Sequence, residues 1–397
     1  MSDLELVVQN DFDNNIKKEW DETVIALGST IHMTFDWCRI WFDFYGKRRK
    51  PYNFIFRSNG KIVGILPLYI EQFGFGPFRL KVAKLIGSNI PPKIFDPPID
   101  SKYSNEIFQS VFNSLQKDVD CNVISLGPIS ESYLKLNCSS GFFKENKNIK
   151  HKVKIEPYDV YTVFNLPESI DKYYSSLSKS ERININRKFN ALKKNHQIGK
   201  VIISDPESAL DEFGDFAVMH KKQWNAEGKP GHFGAWPNAY QYNRALVKEL
   251  SLQDRVRFIN LTANNKTVSS QYLFKMNNVG FWELPAREVG PAWEKYSFGR
   301  IGLISMFEAA INEKIYEIAG GLGHYDYKLK LGAEERQAYR VRIISNTYST
   351  LFKTAFYSII SFLLLIVYHK IWYRRIMTRL PEKFFKPESK LWLKFDF

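Results

Sequence analysis

Two periodicities divide the chain. Apolar residues recur at helical spacing at Ile16, Trp20, Val24 and Leu27, and again at Phe35, Trp37, Ile40, Trp41, Phe44 and Tyr45, predicting two helices, the second either a core helix or a ligand wall. A short strand over 4–8 precedes them. Two strands follow, PYNFIFRS and KIVGILPLYIEQ, joined by Asn59-Gly60, the strongest short-range hairpin signal. Residues 78–87 read as another strand, and the prolines of NIPPKIFDPPID (89–100) then exclude a central strand or helix. A helix over about 103–117 and a strand over 122–126 complete this half. The polar and basic stretch 139–151 breaks the pattern, and a domain boundary is placed there, between residues 150 and 151.

The second half opens with a strand at about 158–165. Ser178 and Glu181 form a Ser-x-x-Glu capping box, which starts a helix with Ile185, Phe189 and Leu192 on one face. A further helix over about 206–226 carries His220 and Trp224. Strands at about 255–263 and 267–277 form a hairpin around Asn264-Asn265-Lys266. Val279, Phe281, Trp282 and Leu284 make a strand that Pro285, Gly290 and Pro291 end. Helical spacing resumes at Ile301, Ile304, Phe307, Ala310 and Ile311, and Ile315–Ala319 is a short strand ending at Gly320-Gly321. The order of elements repeats between halves although no residue-level repeat is visible. Mixed strands with covering helices define an α/β (α+β) architecture.

Three stretches carry candidate chemistry. Ser297, Phe298, Gly299, Arg300, Ile301 and Gly302 place two glycines and a cation where a helix begins. Free N–H groups at the positive end of the helix dipole suit a phosphate or pyrophosphate, and glycine removes the Cβ that would hold a ligand away. The helix after Ser178 carries Lys179, Arg182, Arg187, Lys188, Lys193 and Lys194, either a solvated face or a channel for an anionic substrate. The Gly/Pro loop 228–240 holds His232, Phe233 and Trp236, which either line a binding site or pin the loop.

The run SFG, a helix, then AGGLGHYDYK resembles the C-terminal half of the GNAT-like acyltransferases of the cellulose-biosynthesis (CelD/BioF2-like) group, related to FemABX-type enzymes. Gly299, Gly323, Tyr327 and Lys328 fall at matching spacings. The aromatics of FDWCRIWFDFY and the segment GILPLY resemble further family signatures, and Arg182 resembles an arginine of an "L-S-x-x-x-R" pattern. Phe298 stands where the family has Pro, and Ala319 where it tends to carry Asp. The resemblance implies a tandem GNAT-like fold and an acyl-CoA-dependent N-acyltransferase, using acetyl-CoA or another acyl-CoA. The amine acceptor would be a sugar or cell-envelope precursor.

Acyl transfer to an amine needs the amine neutral, its oxyanion stabilised and the leaving thiolate protonated. Glu283 is the candidate proton acceptor, Tyr327 the donor to the thiolate, and Lys328 the group fixing a polar acceptor or phosphate. Residues 297–302 are the expected cofactor cradle, and Arg182, Trp224, His232 and Phe233 the expected substrate-binding residues. Only the C-terminal half, residues 151–349, offers such a cradle, so the first half is expected to bind no cofactor and to serve as scaffold and acceptor wall.

Composition narrows the alternatives. The 397 residues suit two domains, and an excess of 56 Lys+Arg over 42 Asp+Glu gives a net charge of +14, so an anionic partner is expected. Cys38, Cys121 and Cys138 lack ligand-like spacing, which points to a reducing compartment and to no metal site. HExxH, GxSxG and nucleic-acid motifs are missing. Residues 350–397 combine an apolar run, Ala355–Tyr368, with Lys and Arg interleaved with Trp, Phe and Leu. That composition fits an anchor on an anionic membrane surface, a helix docked on the protein itself, or a span. A cytoplasmic location, peripheral on the inner membrane face, is expected. Two other readings stay open: an aminoacyltransferase using aminoacyl-tRNA, and a non-enzymatic accessory protein of polysaccharide biosynthesis.

Overall fold

A computed structural model describes residues 4–88, 91, 93–139, 141–144, 150–229, 231–377, 391 and 394. Contacts divide the chain into two compact units, residues 1–159 with 337–397, and residues 160–336. The sequence places the divisions at 150/151 and 349/350. In the structure the chain passes between units inside two long strands, His151–Asn165 and Ala333–Ser345.

The first unit begins with β1 (Leu4–Gln9), α1 (Lys17–Ala26), α2 (Phe35–Tyr45), β2 (Pro51–Ser58), β3 (Lys61–Phe73) and β4 (Leu80–Leu85). Then come α3 (Ser104–Val119), β5 (Val123–Ser130), α4 (Glu131–Asn137) and the start of β6 (His151–Asn165). Asn59 and Gly60 both take positive φ, 51° and 76°, as the tight β2–β3 hairpin requires. The predicted aromatic helix is a core helix: Phe35, Trp37, Ile40, Trp41 and Tyr45 of α2 are buried.

The second unit continues through α5 (Ile170–Ser176), α6 (Lys179–Asn195), β7 (Ile198–Ile203), α7 (Pro206–Ala226), α8 (His232–Ala235) and α9 (Ala239–Ser251). β8 (Val256–Ala263), β9 (Lys266–Met276), β10 (Val279–Arg287), α10 (Pro291–Glu294), α11 (Phe298–Asn312), β11 (Glu317–Leu322) and α12 (Asp326–Lys330) complete it. The chain then returns to the first unit through β12 (Ala333–Ser345) and α13 (Tyr348–Leu364), extended by wider π-type turns over Leu365–Ile376.

Each unit has the same strand plan, which bears out the mixed α/β expectation and gives the repeated element order its physical form. In the first, β1 to β4 form an antiparallel meander, β4 and β5 pair in parallel, and β5 pairs antiparallel with β12. In the second, β7 to β10 form the meander, β10 and β11 pair in parallel, and β11 pairs antiparallel with β6. The second unit's core joins Phe164, Leu177, Ile185 and Trp282 to Leu303, Phe307 and Ile318, so α11 is buried nearly all round.

The sequence reading misses β7, α9 and β12, and also the short helices α4, α5, α8, α10 and α12. The first half of β12 reads Ala-Glu-Glu-Arg-Gln, with no apolar alternation. The strand expected at Ile315–Ala319 instead runs from Glu317 to Leu322 and includes Gly320-Gly321. In the tail, Tyr357 of α13 packs with Phe73, Leu80, Val82, Val123 and Ile344. Of the tail residues singled out in the sequence, Arg379, Lys383, Phe384, Phe385, Lys386, Lys390, Trp392 and Phe395 lie outside the described residues.

Candidate active site

In both units a parallel strand pair parts after three residue pairs, and the two partings differ. In the first unit, Val82–Lys84 pair with Val123–Ser125, and the proline-rich segment then fills the gap. Phe95 N donates to Pro128 O at 2.8 Å and Ser130 N to Asp96 Oδ1 at 2.8 Å, on β5. Ile65 N donates to Pro98 O at 2.9 Å and Asp100 N to Val63 O at 2.9 Å, on β3. The chain closes that fork with its own backbone.

In the second unit, β10 pairs with β9 along its whole length but with β11 only at Val279–Phe281 against Glu317–Ala319. A register shift between Trp282 and Leu284 puts Glu283 in a bulge of β10, and another between Ala319 and Leu322 puts Gly320 and Gly321 in a bulge of β11. Bulges bend strands and break pairing, so the two facing strands diverge. A Cβ on Gly320 would lie 2.6 Å from Thr162 Oγ1 on β6, so only glycine fits there.

Lys328 of α12 is buried at this fork, 4% exposed. Its Nζ donates to Gly320 O at 2.6 Å and to Thr162 Oγ1 at 3.3 Å, and lies 5.4 Å from the Trp282 ring centroid and 4.5 Å from that of Tyr325. One ammonium thus touches β6, β10 and β11. Tyr327 is 38% exposed, and desolvation pushes its hydroxyl up to about 12. Glu283 is half-buried, and its charge bears on the Tyr272 hydroxyl, which burial first and Glu283 second hold well above the usual phenol range.

The helix start beside the fork is held by a buried polar chain. Trp282 Nε1 donates to Gln271 Oε1 at 3.1 Å, Gln271 Nε2 to Ser269 Oγ at 3.2 Å, and Ser269 Oγ lies 3.4 Å from Phe298 O. Ser297 caps α11 at φ 56°. Arg300 N and Ile301 N turn back to Ser297 O at 2.9 and 3.3 Å, so the N–H groups of Phe298 and Gly299 lie ahead of the first closed turn. The two glycines do different things. A Cβ on Gly299 would meet nothing closer than Arg287 Cδ at 3.8 Å, so its face is open. A Cβ on Gly302 would sit 2.1 Å from Ser269 Oγ, so Gly302 lets α11 lie against β9. Ile301 and Phe298 are core residues, and Arg300 is ion-paired with Glu181 at the start of α6. The sequence assigned all six residues to the cradle; the geometry leaves the N–H groups of Phe298 and Gly299 ahead of the first helical bonds and an open face at Gly299 alone.

The expected acceptor residues fall in two places. Arg182 Nη1 donates to Ser175 O at 3.2 Å, closing the end of α5. Phe233 joins an aromatic cluster with Phe213, Phe216 and Tyr240. His232 and Trp224 lie ring to ring at 5.2 Å. His220, missed as a site residue, connects this group to the fork: its Nδ1 is 2.7 Å from Pro285 O on β10 and its Nε2 is 3.1 Å from His232 Nδ1. A carbonyl only accepts, so Nδ1 carries the proton and Nε2 accepts. Burial holds its pKa down at about 4. Next to α12, a cavity of about 540 Å³ is lined by Ser176, Ser178, Ser180, Glu181, Leu329 and Lys330, among others. The sequence signal for Glu181 was its capping box, but its carboxylate goes to Arg300 while Ser178 Oγ accepts from Glu181 N at 3.2 Å.

Comparison with known proteins places this geometry. Residues 179–329 match the family model described as an acetyltransferase (GNAT) domain. That span holds the helix start, the fork and α12, and the domain it defines makes the protein an acyltransferase. The fold is similar to the crystal structure of FemX, with a TM-score of 0.57 at 9% identity over 88% of this chain and 100% of that one. A conserved protein of unknown function from Bacteroides thetaiotaomicron is similar at a TM-score of 0.52 and 9% identity, over 86% of this chain and 100% of that one. No curated protein matches the sequence.

Proposed function

We propose that the protein is an acyl-CoA-dependent N-acyltransferase that works through its second unit alone. The observation that carries this reading is the parting of β10 from β11 after Phe281 and Ala319, near the start of α11, whereas in the first unit Phe95 and Asp96 bond to β5 past the corresponding parting. The pyrophosphate of the co-substrate would rest on the N–H groups of Phe298 and Gly299, and its pantetheine arm would enter the fork. Lys328 sets a positive charge where negative charge develops on the thioester oxygen. Tyr327 stays protonated at neutral pH and supplies a proton to the leaving thiolate; Glu283, directly or through water, removes one from the amine.

The acceptor we infer is a polar amine, an amino sugar or another cell-envelope precursor. The serine-rich cavity beside α12, with Glu181 and Lys330 on its wall, supports this. Membership of the CelD/BioF2-like group and an address at the inner face of the cytoplasmic membrane are part of the same reading, the latter supported by the net charge of +14. The likeness to FemX in fold favours one second reading, aminoacyl transfer from aminoacyl-tRNA.

A thermal-shift series with acetyl-CoA and longer acyl-CoAs tests the choice, since a ligand that binds the native state raises its melting temperature. Stabilisation by an acyl-CoA, lost in Gly299→Val, supports the first reading. Stabilisation by aminoacyl-tRNA with none by any acyl-CoA overturns it in favour of the second.

A further inference from the structure

Helix α13 is built inside out. Its buried stripe is Thr350, Thr354, Tyr357 and Ser361, every one bearing a hydroxyl. Its outward face carries Phe352 (65% exposed), Phe356 (44%), Ile359 (61%), Phe362 (59%) and Leu363 (52%), and Val367, Ile371 and Trp372 continue it along the extension. A surface helix of a water-soluble protein normally has the opposite arrangement, and a contiguous exposed apolar face of this length marks an interaction surface.

A second element joins it. The turn after β3, Gly74 to Arg79, exposes Phe75 (85%) and Phe78 (59%). It is fastened to the helix by Tyr357 Oη donating to Phe78 O at 2.9 Å and Lys353 Nζ to Arg79 O at 3.4 Å. Gly74 permits this contact: a Cβ there would lie 1.9 Å from Tyr357 Oη. Two elements distant in sequence, each with exposed aromatic side chains, are therefore joined, and they carry the cations Arg79 (ion-paired with Asp120), Lys353, Lys370 and Arg375.

We propose that α13, its extension and the Phe75–Phe78 turn form one platform that lies in the plane of an anionic lipid surface, with the apolar face immersed and these cations at the headgroups. Charge decides the occupant. A second copy would bring like charges together on a chain of net charge +14, whereas an anionic leaflet complements them. A crossing helix would have to abandon the Tyr357–Phe78 bond, the contact of Arg342 Nη1 with Ser358 Oγ at 3.1 Å, and the packing of Tyr357 on Phe73 and Leu80. The proposal rests on the membrane address given above and specifies the surface that meets it. It is independent of the catalytic site.

Flotation of the full-length protein with phosphatidylcholine vesicles, with and without phosphatidylglycerol, is the test. The protein is expected to float with the anionic vesicles at low ionic strength and to be released by high salt or alkaline carbonate. Phe75→Asp/Phe78→Asp and, separately, Phe352→Asp/Phe356→Asp are each expected to lower the bound fraction about tenfold, with circular dichroism unchanged. Anionic-vesicle binding that neither double variant weakens overturns the platform but keeps the address. No binding of the unaltered protein to any vesicle overturns both. Retention through carbonate, or a dimer that the same substitutions dissolve without any vesicle binding, overturns the proposal in favour of a span or a second copy.

Discussion

The ammonium of Lys328 donates 2.6 Å to the carbonyl of Gly320, at the bulge where β11 parts from β10. This contact ties the aromatic-basic segment after the fork to the strand edge that the fork exposes. Replacing Lys328 by Met leaves the buried Gly320 carbonyl unpaired, a loss of about 1–3 kcal/mol in stability. Acyl transfer should fall much further than acyl-CoA affinity if the charge acts on the reacting thioester. Urea unfolding and single-turnover kinetics measured together check this; equal losses in affinity and rate would make Lys328 a packing group only.

Gly299 and Gly302 should separate cleanly. Gly299→Val meets open space, so stability should stay within about 0.5 kcal/mol of the unaltered protein while CoA affinity collapses. Gly302→Ala drives a methyl into Ser269 Oγ and should lower stability by about 1–3 kcal/mol. Thermal melts with and without acetyl-CoA distinguish the two.

Arg300 is expected to position rather than to bind phosphate, because Glu181 already holds it. A double-mutant cycle with Arg300→Ala and Glu181→Ala should give a coupling of about 1–2 kcal/mol in stability for this half-buried pair. Coupling near zero, with CoA affinity lost in Arg300→Ala alone, would return Arg300 to the cofactor.

His220 should make the protein sensitive to mild acid. Burial lowers its pKa from 6.5 to about 4, so the unfolded chain takes up a proton that the native state refuses. The stability it contributes is therefore whole above pH 6.5 and is lost as pH falls toward 4, by about 2 kcal/mol between pH 7.5 and pH 5. His220→Gln should be less stable at pH 7.5 yet lose about 2 kcal/mol less on acidification over that interval, read by urea unfolding at the two pH values.

Local chemistry was legible and non-local chemistry was not. Asn59-Gly60 and Asn264-Asn265 announced their hairpins because positive φ is written in the residue types, and Ser178 announced the start of α6. The paired glycines marked the start of α11, but nothing in the sequence told the open face of Gly299 from the packed face of Gly302; that difference is set by Ser269 on a neighbouring strand. Lys328 was found as a candidate, whereas its partners Thr162 and Trp282 stand 166 and 46 positions earlier in the chain. The prolines of NIPPKIFDPPID excluded a central strand or helix, and residues 93–100 form neither, yet the closing of the first fork depends on backbone bonds of Phe95, Pro98 and Asp100 to Pro128, Ile65 and Val63 that no pattern encodes.

Isothermal titration of the full-length protein with acetyl-CoA tests the central claim most directly. One equivalent per chain is expected, abolished by Gly299→Val, because Phe95 and Asp96 bond to β5 at the first fork, whereas at the second β10 and β11 part after three pairs and Gly299 faces open space. Two equivalents, or one that survives Gly299→Val in the folded protein, would contradict it.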